Sequence, residues 1–330
     1  MSFSEVLGQA QAIEVLQRER SHERIPHAYL FCGPDGVGKK RTAFALAQSL
    51  QCETGGVDGC GDCPACRKVA HDRHPDVHFY QPVARTKGAM SKIYIDQIRE
   101  LQGAISLKAM EGRKKIMIVD DADRMVDQAA NALLKTLEEP PGDSLLILIA
   151  TFPDLLPSTI LSRSRKVRFR PLSDELVTRV LMRERGMTEE GARTLARFAQ
   201  GSLSRVMEVE PEDLLTHREE FLKESGRWKE GDLGAVFDFC ARFAKNSGDA
   251  VDFIHYLLEW TRDLIALKLQ GPEGVLIYRD RIPDLEAGCR GTTVEDLLEQ
   301  FDRLQGTLKK LDRNVNPRLA LEIALSRLVA

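Results

Sequence analysis

The stretch with the clearest chemistry is Gly33-Pro-Asp-Gly-Val-Gly-Lys-Lys40. Gly33, Gly38 and Lys39 have the spacing of a phosphate-binding loop, G-x-x-x-x-G-K-[ST], with Gly36 inside it. In that pattern backbone N–H groups face the phosphates and the lysine adds its charge to the outer ones. A terminal hydroxyl ligates the bridging magnesium ion. Lys40 stands where that hydroxyl belongs, and an ammonium has donors but no acceptor for a metal.

Asp120 closes the apolar run Ile116-Met-Ile-Val119. The end of such a strand is where an aspartate holds magnesium, directly or through water. The next residue in a hydrolysing site is often a glutamate that polarises the attacking water. Here it is Asp121, one methylene shorter, whose carboxylate falls short of that water. The alternative is that Asp120, Asp121 and Asp123 cap the following helix. The two departures together predict no intrinsic ATP hydrolysis and no catalytic use of magnesium. They leave open whether nucleotide occupies the pocket.

Cys60-Gly-Asp-Cys63-Pro-Ala-Cys66 is a double C-x-x-C turn, with Cys52 upstream. Four thiolates fit a closed, tetrahedral, structural zinc site and leave no open position for catalysis. Zinc would order the short segment 52–66, which has almost no core of its own. A redox dithiol and an iron–sulfur cluster are the rival readings, and His71 or His74 the alternatives to Cys52 as fourth ligand. Cys32, Cys240 and Cys289 stand alone and read as buried or inert.

These groups need a scaffold to hold them. The chain has 330 residues, 43% hydrophobic and 29% charged, which suits a soluble protein of two or three domains. A net charge of −3 gives no overall basic field for nucleic acid. Met1-Ser-Phe-Ser-Glu5 lacks the pattern of a signal peptide, and the longest apolar run, Leu145 to Phe152, is far short of the ~20 residues that span a bilayer. A cytoplasmic protein without a membrane partner is expected, in which seven cysteines mean metal or buried thiols and not disulfides.

The first half alternates strand-like and helical runs, as a parallel α/β sheet does. Strands are expected at 28–32, 77–80, 116–119, 145–150 and 167–169, and helices at 41–50 and 129–139, the latter stopped by Pro140-Pro141. After Pro171 only helices are expected, at 173–185 and 188–199, with Gly201 as a break and a further boundary near Pro211. Val251, Ile254, Leu258 and Ile265 share one helix face, as do Leu321, Leu325 and Leu328.

Several segments in combination carry a resemblance. They are His27-Ala-Tyr-Leu-Phe-Cys-Gly-Pro34 with its loop, the four-cysteine module, His74-Pro-Asp76, Val119-Asp-Asp-Ala-Asp-Arg124, Asn131-Ala-Leu-Leu-Lys-Thr-Leu-Glu-Glu-Pro-Pro141 and Leu156-Pro-Ser-Thr-Ile-Leu-Ser-Arg-Ser-Arg165. With them the chain resembles the AAA+ clamp-loader subunits of bacterial DNA polymerase III. The likeness covers most of the first half; the helical second half matches loosely. It implies an α/β fold class: an AAA+ P-loop core (1–170) with a zinc module, a small helical lid (171–210) and an all-helical collar domain (211–330).

It implies partners too: ATPase motor and delta-type subunits in a hetero-pentamer, the sliding clamp, and primer-template DNA. Ser162-Arg163-Ser164 stands where the family has Ser-Arg-Cys, so Arg163 is implied to be an arginine finger that reaches a neighbour's ATP. Thr151 matches the sensor position and Arg205 the lid arginine over a nucleotide. Each has a plainer alternative: Arg163 as a surface cation in a basic run with Arg165, Lys166, Arg168 and Arg170, Thr151 as an ordinary strand end, Arg205 as a solvent-facing helix residue. The leading expectation is a non-hydrolysing clamp-loader subunit. An active ATPase motor of the same loader and a zinc-bearing scaffold that binds DNA through residues 163–170 are the competitors.

Overall fold

The computed structural model describes residues 2–85, 91–207, 219–220, 223, 233–244, 247–274, 276–311 and 315–329. The chain divides into two compact units, Met1–Arg85 with Ser91–Glu208, and a second built from Val209–Ala330. The boundary expected near Pro211 lies outside the described residues.

The first unit is built on five apolar segments that pair in parallel: β1 (Ala28–Cys32), β2 (Val77–Tyr80), β3 (Lys115–Val119), β4 (Ser144–Ala150) and β5 (Arg165–Arg168). Their order across the sheet is β2-β3-β4-β1-β5. Register places Phe31 beside Ile149 and Val119 beside Leu148, so β1, β4 and β3 end side by side. Alternate residues face opposite ways. Tyr29, Phe31, Ile116, Ile118, Ile147 and Ile149 feed one buried cluster, and Leu30, Met117, Val119, Leu146 and Leu148 feed the other. Covering both faces explains why the central strands read as unbroken apolar runs.

Helices cover the two faces: α1 (Ala10–Ser21), α2 (Lys39–Gln51), α3 (Pro64–Ala70), α4 (Ile95–Ile105), α5 (Asp127–Glu138) and α6 (Ser158–Arg163). α7 (Asp174–Arg185) and α8 (Glu189–Ala199) follow, and the short α9 (Ser204–Met207) closes the unit. Ser173 and Thr188, expected as first helical residues, are instead the N-caps of α7 and α8; their hydroxyls accept from Leu176 N and Gly191 N. β5 begins two residues earlier than expected, because Arg165 and Lys166 pair with Tyr29 and Leu30 at the sheet edge.

In the second unit, helices Leu233–Phe243, Ser247–Gln270, Val294–Leu311 and Pro317–Val329 share one core that includes Phe239, Ile254, Leu258, Leu304, Leu321 and Leu325. Leu328's side chain lies outside the described residues. No helix among the described residues is long and apolar enough to cross a membrane.

One acidic residue among those described is held entirely inside the first unit. Asp76 is fully buried just before β2 and accepts from the backbone N–H groups of Met110, Glu111 and Gly112 at 2.7–2.8 Å. Lys115 Nζ completes the set at 2.9 Å. Burial opposes ionisation, but the backbone N–H groups of Gly112, Met110 and Glu111 and the Lys115 ammonium outweigh it and hold the carboxyl far below its usual range. Asp76→Ala would leave the Lys115 ammonium buried without its counter-charge, at a cost of about 3–5 kcal/mol. Urea unfolding followed by circular dichroism should show that loss. Because the folded-state pKa is depressed, the advantage of the parent over Asp76→Asn should be complete above the ordinary carboxyl pKa of about 3.9 and shrink as pH falls below it. A gap that stays constant from pH 5 to pH 3 would contradict this account.

Candidate functional site

The glycine loop connects β1 to α2, so it opens at the carboxyl edge of the sheet, where ligands of parallel α/β sheets bind. Gly38 is the N-cap of α2 and has φ +99°, which only glycine adopts at little cost. The chain thereby turns straight into a helix whose first residue is Lys39.

Lys39 is 5% exposed, and its ammonium is turned back onto the loop. It donates to the carbonyls of Gly33 at 2.7 Å and Pro34 at 2.6 Å, and to Thr151 Oγ1 at 3.4 Å. Burial lowers its pKa, while Asp35, Asp123, Asp121 and Asp120 pull the other way. Thr151, which directly follows β4, therefore touches the loop lysine.

Lys40 points to the neighbouring strand end. Its Nζ is 3.6 Å from Asp120 Oδ2 and 4.1 Å from the centre of the Phe79 ring. An ion pair this exposed contributes about 1 kcal/mol at most, and a cation–π contact about 0.5–1 kcal/mol. Burial and the neighbouring Asp121 raise the pKa of Asp120, and Lys40 offsets them only in part.

The three acids after β3 do not share a role, and none caps a helix through its side chain. Asp120 Oδ1 accepts from Asp121 N. Asp121 starts a short 3₁₀ turn in the left-handed conformation, φ +45°, makes no capping bond, and pairs with Arg124 at 3.5 Å. Asp123 Oδ2 accepts from Phe152 N at 2.7 Å, tying the end of β3 to the end of β4, while its buried Oδ1 has no partner among the described residues. Burial raises its pKa.

The loop is also held from outside, which the sequence did not reveal. Leu203 N donates to Gly36 O at 3.1 Å, and Ser204 Oγ donates to Asp35 Oδ2 at 2.7 Å. Residues 202–204 thus clasp the tip of the phosphate loop. The run Gly201-Ser-Leu-Ser204 reads only as a helix break, and nothing in its spacing shows what its hydroxyls would reach. Arg205 is the second residue of α9, but its side chain lies outside the described residues.

Arg163 ends α6. Its guanidinium pairs with Glu138 Oε1 at 3.0 Å and donates to Thr159 O, with 37% of the side chain still exposed. Glu138, at the end of α5, is a partner that the sequence did not suggest. Of the basic run, Arg165 is paired with Glu19 at 3.3 Å.

Cys52, Cys60, Cys63 and Cys66 come together, with all four Sγ atoms within 4.8 Å of one another. The Cys60–Cys66 separation of 3.8 Å matches the edge of a tetrahedron with metal–sulfur bonds of about 2.3 Å. Backbone N–H groups of Cys60, Cys63 and Cys66 point at the sulfurs of Cys52, Cys60 and Cys63, as they do around metal-bound thiolates. The donor set therefore fits a metal ion. Cys52 is the fourth member and not His71 or His74; His74 Nδ1 instead accepts from Asp76 N. Cys240 is buried, its thiol pushed up to about 12, and Cys32 and Cys289 are half-buried.

A glycine loop between a parallel strand and a helix, with a threonine after β4 and an acid after β3 beside it, is the arrangement of a P-loop nucleotide-binding core. The family model described as "DNA polymerase III, delta subunit" matches residues 8–173, and "DNA polymerase III, delta subunit, C terminal" matches residues 212–329. DNA polymerase III subunit delta' of Bacillus subtilis is 30% identical over 317 residues, covering 95% of this chain and 94% of that protein. The delta' subunit of Pseudomonas aeruginosa is 42% identical over 138 residues, 42% of this chain and 41% of its own. DNA polymerase III subunit tau of Escherichia coli is 36% identical over 61% of this chain and 31% of its own length. The chain belongs to the family of DNA polymerase III delta-prime subunits.

Gly36 has φ +68°, and a Cβ there would lie 2.4 Å from Ser204 N and 2.6 Å from Ser202 Oγ. Gly36→Ala should therefore both strain the loop and push the clasp off it. A loss of about 1–3 kcal/mol is expected, seen as a lowered urea midpoint. Faster proteolytic cutting between α8 and α9 should accompany it. An unchanged midpoint with unchanged cutting would mean that the clasp does not hold the loop.

Proposed function

We propose that this chain is a clamp-loader subunit of the DNA polymerase III holoenzyme that does not hydrolyse ATP itself. It acts in DNA replication, in the cytoplasm, as one member of a hetero-pentamer with ATPase motor and delta-type subunits. In that assembly it supplies Arg163 in trans to a neighbour's ATP while the sliding clamp is loaded on primer-template DNA. Residues 1–170 serve as the core, 171–210 as the lid and 211–330 as the collar.

One observation carries the non-hydrolysing reading. Position 40, where the loop hydroxyl that ligates magnesium belongs, carries an ammonium 3.6 Å from Asp120 Oδ2. The engagement of Asp121 with Arg124 supports it. Glycine positions 33, 36 and 38, Lys39, Lys40, Asp120, Asp121, Thr151 and Arg205 then form a degenerate nucleotide site. The Lys39–Thr151 contact favours the rival reading of an active motor, because it brings a sensor-type hydroxyl to the lysine.

Arg163 suits delivery in trans because its present partner is half-exposed Glu138, an ion pair worth about 1 kcal/mol at most. A γ-phosphate in a neighbouring site would be a stronger partner, through charge-assisted bidentate bonds. The four cysteines hold a structural zinc ion that orders residues 52–66 around α3.

The isolated chain should release no phosphate from ATP above background. In a reconstituted loader, Arg163→Ala should lower DNA-stimulated ATP turnover by about 10³-fold at the site it completes. Undiminished turnover in that assembly would reject the finger. Metal analysis after dialysis should give about one zinc per chain, and Cys60→Ser should lose it together with the order of the 52–66 segment. A folded, metal-free parent would remove zinc from this account.

A further inference from the structure

Lys40 does more than remove a hydroxyl. Its ammonium lies 3.6 Å from Asp120 Oδ2 on one side and 4.1 Å from the centre of the Phe79 ring on the other. Asp120 is the carboxylate at the strand end that a metal-dependent site would use, and the cation beside it here belongs to the chain.

We propose that Lys40 is a resident counter-cation: it takes the divalent ion's place at Asp120, so the loop accepts a polyphosphate as the metal-free anion and does not recruit magnesium. This rests on the reading of residues 33–40 as a degenerate nucleotide site and specifies which form of nucleotide that site takes.

The division of partners among the acids supports it. Asp121 is paired with Arg124, and Asp123 with the Phe152 N–H. Asp120 Oδ2 is the carboxylate oxygen that meets Lys40, at 3.6 Å. The surroundings of the ammonium suit an organic cation better than magnesium. A divalent ion of that size demands near-octahedral oxygen ligands and gives up water reluctantly. The Phe79 ring offers a π-face in place of an oxygen and is itself packed on Phe44, 5.5 Å between centres. The ring fixes where the ammonium rests and denies a metal one side of its shell. A metal-free nucleoside di- or triphosphate would meet two ammoniums, Lys39 and Lys40, at the start of α2, which replaces the neutralisation that magnesium otherwise provides.

The test is equilibrium binding by the full chain, with a fluorescent ATP analogue and with manganese(II) read by electron paramagnetic resonance. The parent should bind the analogue equally, within about twofold, in magnesium and in EDTA, and should leave the manganese signal undepleted in the presence of ATP. Lys40→Thr restores the loop hydroxyl and frees Asp120. It should bind the analogue about tenfold or more tightly in magnesium than in EDTA and deplete the manganese signal. Lys40→Thr/Asp120→Asn should lose both effects, and circular dichroism should show all three chains folded.

A parent whose binding tightens tenfold with magnesium, or a folded Lys40→Thr chain indifferent to manganese, would overturn the proposal. A parent that binds the analogue in neither buffer would also overturn it, because the metal-free anion is then not accepted. Nucleotide bound by neither chain would remove the nucleotide-site reading and this inference with it, whereas magnesium-assisted binding by the parent removes this inference alone. The arginine finger stands or falls separately, because none of these readouts involves turnover or a neighbouring subunit.

Discussion

A buried ammonium must have oxygen around it, and Lys39 is nearly out of water at the first residue of α2. Its nearest oxygens are the carbonyls of Gly33 and Pro34, which belong to the same loop, and the hydroxyl of Thr151 at the end of the adjacent strand. That requirement shapes the site. The loop curls over its own lysine, and the ends of β1 and β4 are joined across it. The loop tip, turned outward, is met by residues 202–204. Phosphate oxygens could replace those carbonyls only by displacing bonds of 2.6–2.7 Å that are already satisfied. Hydrogen bonds to a charged group contribute about 1.5–3 kcal/mol each, so the exchange has a real opposing term.

Lys40 poses a different balance. The attraction between Lys40 and Asp120 is weak, because the lysine side chain is half exposed and the separation is 3.6 Å. Repulsion of a second cation is not weak. A divalent ion about 4 Å from the ammonium would be repelled by about 2 kcal/mol in bulk water, and by about 8 kcal/mol at the effective dielectric near a protein surface. The charge at position 40 therefore acts more by what it keeps away than by what it holds. The ring of Phe79 matters for the same reason: it keeps the ammonium near Asp120 when solvent would otherwise compete.

Much of this was legible in the sequence because it is local. The loop, the cysteine quartet and the buried strands depend on residue types at fixed short spacings, and the structure places all five strands within two residues of where periodicity put them. The second half of the site was not legible, because it depends on which elements become neighbours. Phe79 is a strand residue like many others until β2 is found beside β3, which brings its ring to Lys40. Ser202 and Ser204 look like turn residues until the chain returns from α8 to the loop. Glu138 sits in a motif that reads as a helix stop, with no hint that it holds Arg163. α1, α3 and α4 were also missed: α3 is only seven residues and begins inside the cysteine turns, where Pro64 and the Cys63 cap start a helix that no long periodicity announces.

The same magnitudes separate the two basic groups on which the proposed role depends. Lys39 is buried and multiply bonded, so moving it means breaking charge-assisted bonds and repacking the loop. Arg163 is tied to Glu138 on the surface, where an ion pair contributes little and side-chain entropy favours release. A chain with this arrangement gives up its arginine far more readily than it reopens its own phosphate loop. In the proposed assembly the direction of action follows: the motion with the smaller cost is that of Arg163, and it faces the neighbour. Glu138 then has a definite part, since it holds the guanidinium at the surface end of α6 until a more strongly charged acceptor is presented.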